Sequence, residues 1–127
     1  ITASGDYPIS PVNNPFWAIE IGVTRNLENA EFYKKSFPDI KDIEDMDDPT
    51  YLLNPNERIP LKAMIEAYTI NGAYQMNYEN TCGSLKAGKV ADFIVVDTDP
   101  FKINPVKIDE VKVLKTYKDG EVIWSEK

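Results

Sequence analysis

Histidine is absent from the 127-residue sequence, and cysteine occurs once, at Cys82. Without thiolates and imidazoles the chain cannot assemble a conventional zinc site. It has no Ser-His or Cys-His pair for nucleophilic catalysis. A single cysteine excludes an internal disulfide. With no imidazole to take its proton, Cys82 reads as a small, half-buried apolar residue. Positive charge is also scarce: Lys and Arg number 14 against 21 Asp and Glu, for a net charge of −7. A phosphate backbone asks for a basic face and anionic lipid for a polybasic anchor. Neither nucleic acid nor a membrane is therefore expected as a partner. No apolar run approaches the length of a membrane span. Residues 1–15 lack the basic n-region and the h-region of a signal peptide, so the cytoplasmic compartment is the expected one. Carboxylates alone could hold Ca²⁺ or Mg²⁺, but no Asp-x-Asp-x-Asp-Gly loop is present. Taken by itself, the chain makes a poor enzyme.

What is there reads as globular, with 43% hydrophobic and 28% charged residues, enough for one ordinary domain or two small pieces of a larger one. Ile1-Thr2-Ala3 opens as a short apolar strand and runs into Ser4-Gly5-Asp6-Tyr7-Pro8. Pro8 cannot continue a strand, so Asp6 sits at its lip. Ser10 to Pro15 is a loop by its turn chemistry. Asn14 can cap a helix with Pro15 at its first position. On that helix Phe16, Ile19 and Val23 share a face, a wide apolar surface for so short an element. Residues 26–58 are acidic and without sustained period. They read as a long solvated excursion with a helical turn near Glu31–Ser36. Pro60 fits the first turn of a second helix, on which Leu61, Met64, Ile65 and Tyr68 recur at i, i+3, i+4 and i+7. Asn71-Gly72 is expected to interrupt it, with a further turn over 73–76. Gly83 and Gly88 read as turn glycines. Residues 91–97 form a near-continuous β-branched run, which predicts a strand covered on both faces. Asp119-Gly120 lies between the runs 111–117 and 121–125, a strong hairpin signal. Trp17 and Trp124 read as core. Asp92 reads as holding a turn or pairing with Lys89.

Some of these stretches resemble a known family. Leu61-Lys62-Ala63-Met64-Ile65-Glu66-Ala67-Tyr68-Thr69-Ile70-Asn71-Gly72-Ala73 is similar to a late helix of the amidohydrolase superfamily. Gly83-Ser84-Leu85-Lys86-Ala87-Gly88-Lys89-Val90-Ala91-Asp92-Phe93-Ile94-Val95-Val96-Asp97-Thr98-Asp99-Pro100 resembles its return strand. Ser4-Gly5-Asp6-Tyr7-Pro8 resembles the end of barrel strand eight in amidohydrolase family 3, the YtcJ-like branch. The order of Ser4-Gly5 is inverted relative to the usual Gly-Ser, and Pro60 stands where that family often has Thr.

The resemblance implies an α+β fragment. It would comprise the last strand and helices of a (β/α)8 TIM-barrel amidohydrolase, followed by the C-terminal strands of its composite β-sandwich. Residues 1–76 would belong to the barrel and 77–127 to the sandwich. Such enzymes hydrolyse C–N bonds in amides or cyclic amides with a metal-activated water. Their divalent metal, zinc by resemblance, is held mostly by an HxH pair, a carboxylated lysine or glutamate and later histidines, none of which is in this chain. Asp6 matches the remaining ligand, the aspartate after strand eight, which also shuttles the proton. Active sites of such barrels lie at the C-terminal ends of the strands, where Asp6 would stand. From the residues alone Asp6 reads as an ordinary turn or cap aspartate, and the accompanying motifs turn the reading to a ligand. The implied partner is a small-molecule amide substrate. The isolated chain is expected to be inactive, to leave the Phe16, Ile19 and Val23 face bare, and so to form a homo-oligomer or domain-swapped dimer. The competing expectation is a free-standing, non-enzymatic β-rich interaction module whose apolar helix binds a partner.

Overall fold

The computed structural model of the chain describes residues 1–4 and 13–127. Helix α1 is Pro15–Thr24, and the side chain of Asn14 accepts the Phe16 N–H at 3.0 Å. The cap and the proline at the first position thus start the helix where the sequence places it. Arg25, in the left-handed conformation with φ 57°, ends it and returns its N–H to the Ile21 carbonyl. Helix α3, Leu61–Tyr68, carries Met64 against α1. The core is the cluster of Ile19, Met64 and Ile108, flanked by Phe16, Val23, Ile59, Leu61, Ile65, Tyr68 and Ile103. The face of Phe16, Ile19 and Val23 is therefore not bare. Ile19 is 4% exposed, because α3 and the 3-10 helix Pro105–Glu110 close over it. The partner of this apolar face comes from the chain's own distant residues, which helical periodicity cannot identify.

Residues 26–58 are less of a solvated excursion than their charge suggests. The C-terminal end returns to the end of α1: Leu53 N–H donates to the Arg25 carbonyl at 2.8 Å and Ile59 N–H to the Gly22 carbonyl at 2.9 Å. Asn26, 5% exposed, donates through Nδ2 to the carbonyls of Met46 and Asp48. Arg58 bonds the Asp47 carboxylate, the Met46 carbonyl and the Thr24 carbonyl. Ile43 is buried beneath the loop. The expected helical turn is α2, Ala30–Lys34, capped by Asn29. A short 3-10 turn, Pro55–Glu57, precedes Arg58.

The second helical stretch breaks at a different residue from the one expected. Pro60 is the cap of α3 and not its first residue. The interruption falls at Thr69, with φ −127° and ψ −97°, and Asn71-Gly72 lie inside α4, Ile70–Gln75. Thr69 stabilises its own break. Its N–H bonds the Glu66 carbonyl and its hydroxyl the Ile65 carbonyl, two acceptors that the end of α3 leaves free. The strand expected at Ile1–Ala3 is not formed. Residues 1–4 have no regular structure, and Ala3 N–H donates to the Ala67 carbonyl at 3.1 Å.

The sheet is antiparallel with strand order β1 (Phe93–Val96), β2 (Val113–Lys118) and β3 (Glu121–Ser125). The hairpin between β2 and β3 turns on Asp119 and Gly120, whose φ values of 52° and 83° are those of a primed two-residue turn. Asp92 holds that turn, its carboxylate accepting the Asp119 N–H at 2.8 Å. Lys89 points elsewhere, to the Cys82 carbonyl and the Ser84 hydroxyl. Phe93 stacks on its cross-strand neighbour Tyr117 with ring centroids 4.4 Å apart. The both-faces-covered expectation for 91–97 does not hold here: Ile94 is 49% and Val95 39% exposed. Trp124 is likewise 48% exposed rather than core, whereas Trp17 packs edge-on against Phe32.

Candidate functional site

The residue singled out for chemistry, Asp6, lies outside the described residues, as do Pro8 and the rest of 5–12. Its described flanks are both anchored. On the N-terminal side the Ile1 carbonyl accepts a hydrogen bond from Asn71 Nδ2 at 2.9 Å, beside the Ala3–Ala67 bond. Asn71, expected to interrupt the second helix, is thus a tether for residues 1–4. On the C-terminal side the Asn14 cap fixes the start of α1.

A cavity of about 1590 Å³ opens between the α1–α3 layer and the sheet. Phe16, Ile65, Tyr68, Ile94, Val113 and Trp124 give it an apolar lining. Two of its acidic residues are occupied with backbone. Asp92 holds the hairpin turn, and Asp97 accepts the Lys112 N–H at 3.0 Å. Burial raises the Tyr68 hydroxyl above the ordinary tyrosine range. The acid and base paired in this lining are Lys107 and Glu110, 3.0 Å apart and three residues from one another on the 3-10 helix.

The most perturbed carboxyl is Glu20, on α1. It is fully buried, Oε2 accepts the Asp109 N–H at 2.8 Å, and Oε1 has no hydrogen-bond partner. Burial pushes its pKa up to about 8. The Asp109 N–H opposes that rise, while the neighbouring Asp109 carboxyl and the charge of Glu28 add to it. Glu28 in turn accepts a hydrogen bond from the Tyr33 hydroxyl, which burial and that bond together push up to about 12. Sequence reasoning passed over Glu20. The signal was present, since at helical spacing it borders the arc of Phe16, Ile19 and Val23, one position beyond Phe16, where a charge is out of place.

Among the described residues no three His, Cys, Asp or Glu side chains come together in a way that could hold a metal ion. With no histidine anywhere in the chain, its donor set does not make up the metal centre that the resemblance implies. No helix among the described residues is long and apolar enough to cross a membrane.

Comparison with known proteins gives these features a family. YtcJ of Bacillus subtilis (strain 168), an amidohydrolase by name, is 29% identical over 119 residues, which are 94% of this chain and 19% of that protein. The N-substituted formamide deformylase of Arthrobacter pascens is 37% identical over 68 residues, 54% of this chain and 12% of that protein. An imidazolonepropionase of Bacteroides fragilis (strain YCH46) is 35% identical over 63 residues, 50% of this chain and 15% of that protein. The chain thus spans less than a fifth of the length of these relatives. No solved structure matches it. The model of the amidohydrolase family matches residues 1–124, and the chain belongs to that family.

Proposed function

We propose that these residues are the C-terminal part of a metal-dependent amidohydrolase that hydrolyses C–N bonds in small amides or cyclic amides. The observation that carries this reading is the family match across residues 1–124. It also favours a hydrolase over a free-standing interaction module. In this reading residues 1–76 end a (β/α)8 barrel and 77–127 contribute strands to a composite β-sandwich. The open faces at Ile94, Val95 and Trp124 support that division, because they leave apolar surface for further strands to cover. The metal, zinc by family likeness, and its histidines belong to polypeptide outside these residues.

Asp6 is the chain's contribution to the reaction centre. As a ligand it places a carboxylate beside the reacting water. As a proton carrier it takes the proton from that water and hands it to the departing nitrogen. The anchoring of residues 1–4 on Ala67 and Asn71 is consistent with a fixed approach to that position. The test uses the full-length protein with a panel of N-substituted formamides, imidazolone rings and simple amides, the first two suggested by the names of the relatives. Wild type should turn over at least one class, and Asp6→Asn should lower kcat by about 10²- to 10⁴-fold. Unchanged turnover in Asp6→Asn would remove Asp6 from the site.

A further inference from the structure

Among the described residues, Glu20 is the one ionisable side chain with no exposed surface, and the function proposed above does not use it. Its carboxyl crosses from α1 to the 3-10 helix Pro105–Glu110 and takes the Asp109 N–H at 2.8 Å. Its second oxygen is buried without a partner. The groups around it are acidic. Asp109 lies on the 3-10 helix, its carboxylate bonded to Asn29 Nδ2 at 3.2 Å, and Glu28 lies on the segment after α1, bonded to Tyr33 of α2. The cation facing the pair is Lys107 on the same 3-10 helix: it is bonded to Glu110 at 3.0 Å and also feels the charge of Asp109. Among the described residues no lysine or arginine forms an ion pair with Glu20 or Asp109.

A neutral carboxyl can be stored in such a place at the cost of one unmade hydrogen bond. A carboxylate would be a buried charge facing two others, which is far more costly. We propose that the Glu20–Asp109 contact is a pH-sensitive joint between α1 and the 3-10 helix, closed while Glu20 keeps its proton and opened by conditions that remove it. The joint matters to the layout of the fold, because the 3-10 helix leads directly into β2 while α1 follows the segment that carries Asp6.

The sign follows from proton linkage. When the joint opens, Glu20 meets water and returns from about 8 to its ordinary value of 4.5. The open form therefore binds fewer protons, and rising pH favours it by about tenfold per pH unit between those values and no further above them. The experiment is backbone hydrogen exchange on the full chain from pH 5 to 9, corrected for the intrinsic exchange rate. In wild type, protection of the α1 amides and of the Asp109 N–H should fall by about tenfold per unit up to pH 8 and then level off. In Glu20→Gln, which keeps the shape and the acceptor, it should be flat. In Asp109→Asn, which keeps the backbone bond and removes one neighbouring charge, the levelling should come at lower pH. A flat wild-type profile overturns the joint, as does a Glu20→Gln profile that falls like wild type. Should Glu20→Gln fail to fold, a levelling point unmoved in Asp109→Asn overturns it independently.

Discussion

At the scale of single residues, glycines that look alike in the sequence carry different loads. Gly83 and Gly88 both read as turn glycines, and both have positive φ, 81° and 91°. A side chain at Gly83 would place its Cβ 2.6 Å from the Ala73 Cβ and 3.0 Å from the Ile70 Cα, whereas at Gly88 it would meet open space. Gly83→Ala should therefore lose about 2–4 kcal/mol, from backbone strain and overpacking together. Gly88→Ala should lose about 1–2 kcal/mol from strain alone. Urea unfolding of the two variants checks the difference, and equal losses would contradict it. The αL requirement was legible from composition. The clash with α4 was not, because it depends on which helix lies beside the turn.

At the scale of elements, local signals located boundaries well where the stabilising partner lies within a few residues. Asn14 and Pro15 set the start of α1, and Asp119-Gly120 set the hairpin, each through a bond that closes locally. Asn14→Ala should cost about 1 kcal/mol, read as a lower thermal midpoint with earlier fraying of the first turn of α1 by hydrogen exchange. Signals failed where a distant group decides. The break between α3 and α4 fell on Thr69 rather than Asn71-Gly72, because the Thr69 hydroxyl satisfies the Ile65 carbonyl while Asn71 reaches across to Ile1. The packing of α1 rests on Ile108, 1% exposed on the 3-10 helix, a segment where no element is expected from the sequence. Ile108→Ala should lose about 2–5 kcal/mol, among the largest single-residue losses in the chain, measured by the same urea series.

At the scale of the whole molecule, the open sheet is the feature with consequences. Ile94, Val122, Ile123 and Trp124 are between 48% and 62% exposed, and among the described residues β3 has no strand on its outer edge. Such surfaces associate unless they are covered. The 127-residue chain on its own should therefore form dimers or larger species in a concentration-dependent way. Sedimentation at rising concentration checks this, and Ile123→Lys together with Trp124→Ser should shift the balance toward monomer. The same chain should show no amide hydrolysis where the full-length protein does. Activity in the isolated chain would contradict the proposed placement of the histidine ligands outside it.

The sequence by itself determined the family, through motifs dense enough to be read without coordinates, together with the caps, the hairpin and the absence of any histidine ligand. Those are properties of adjacent residues, or of residue types that are simply not there. Only the tertiary structure decided what covers α1, where the second helix breaks, how the acidic segment is pinned by Asn26 and Arg58, and that Glu20 is sealed beside Asp109. Each of these depends on groups dozens of residues apart meeting in space. The free energy of a buried contact is set by that meeting and not by the identity of either residue alone.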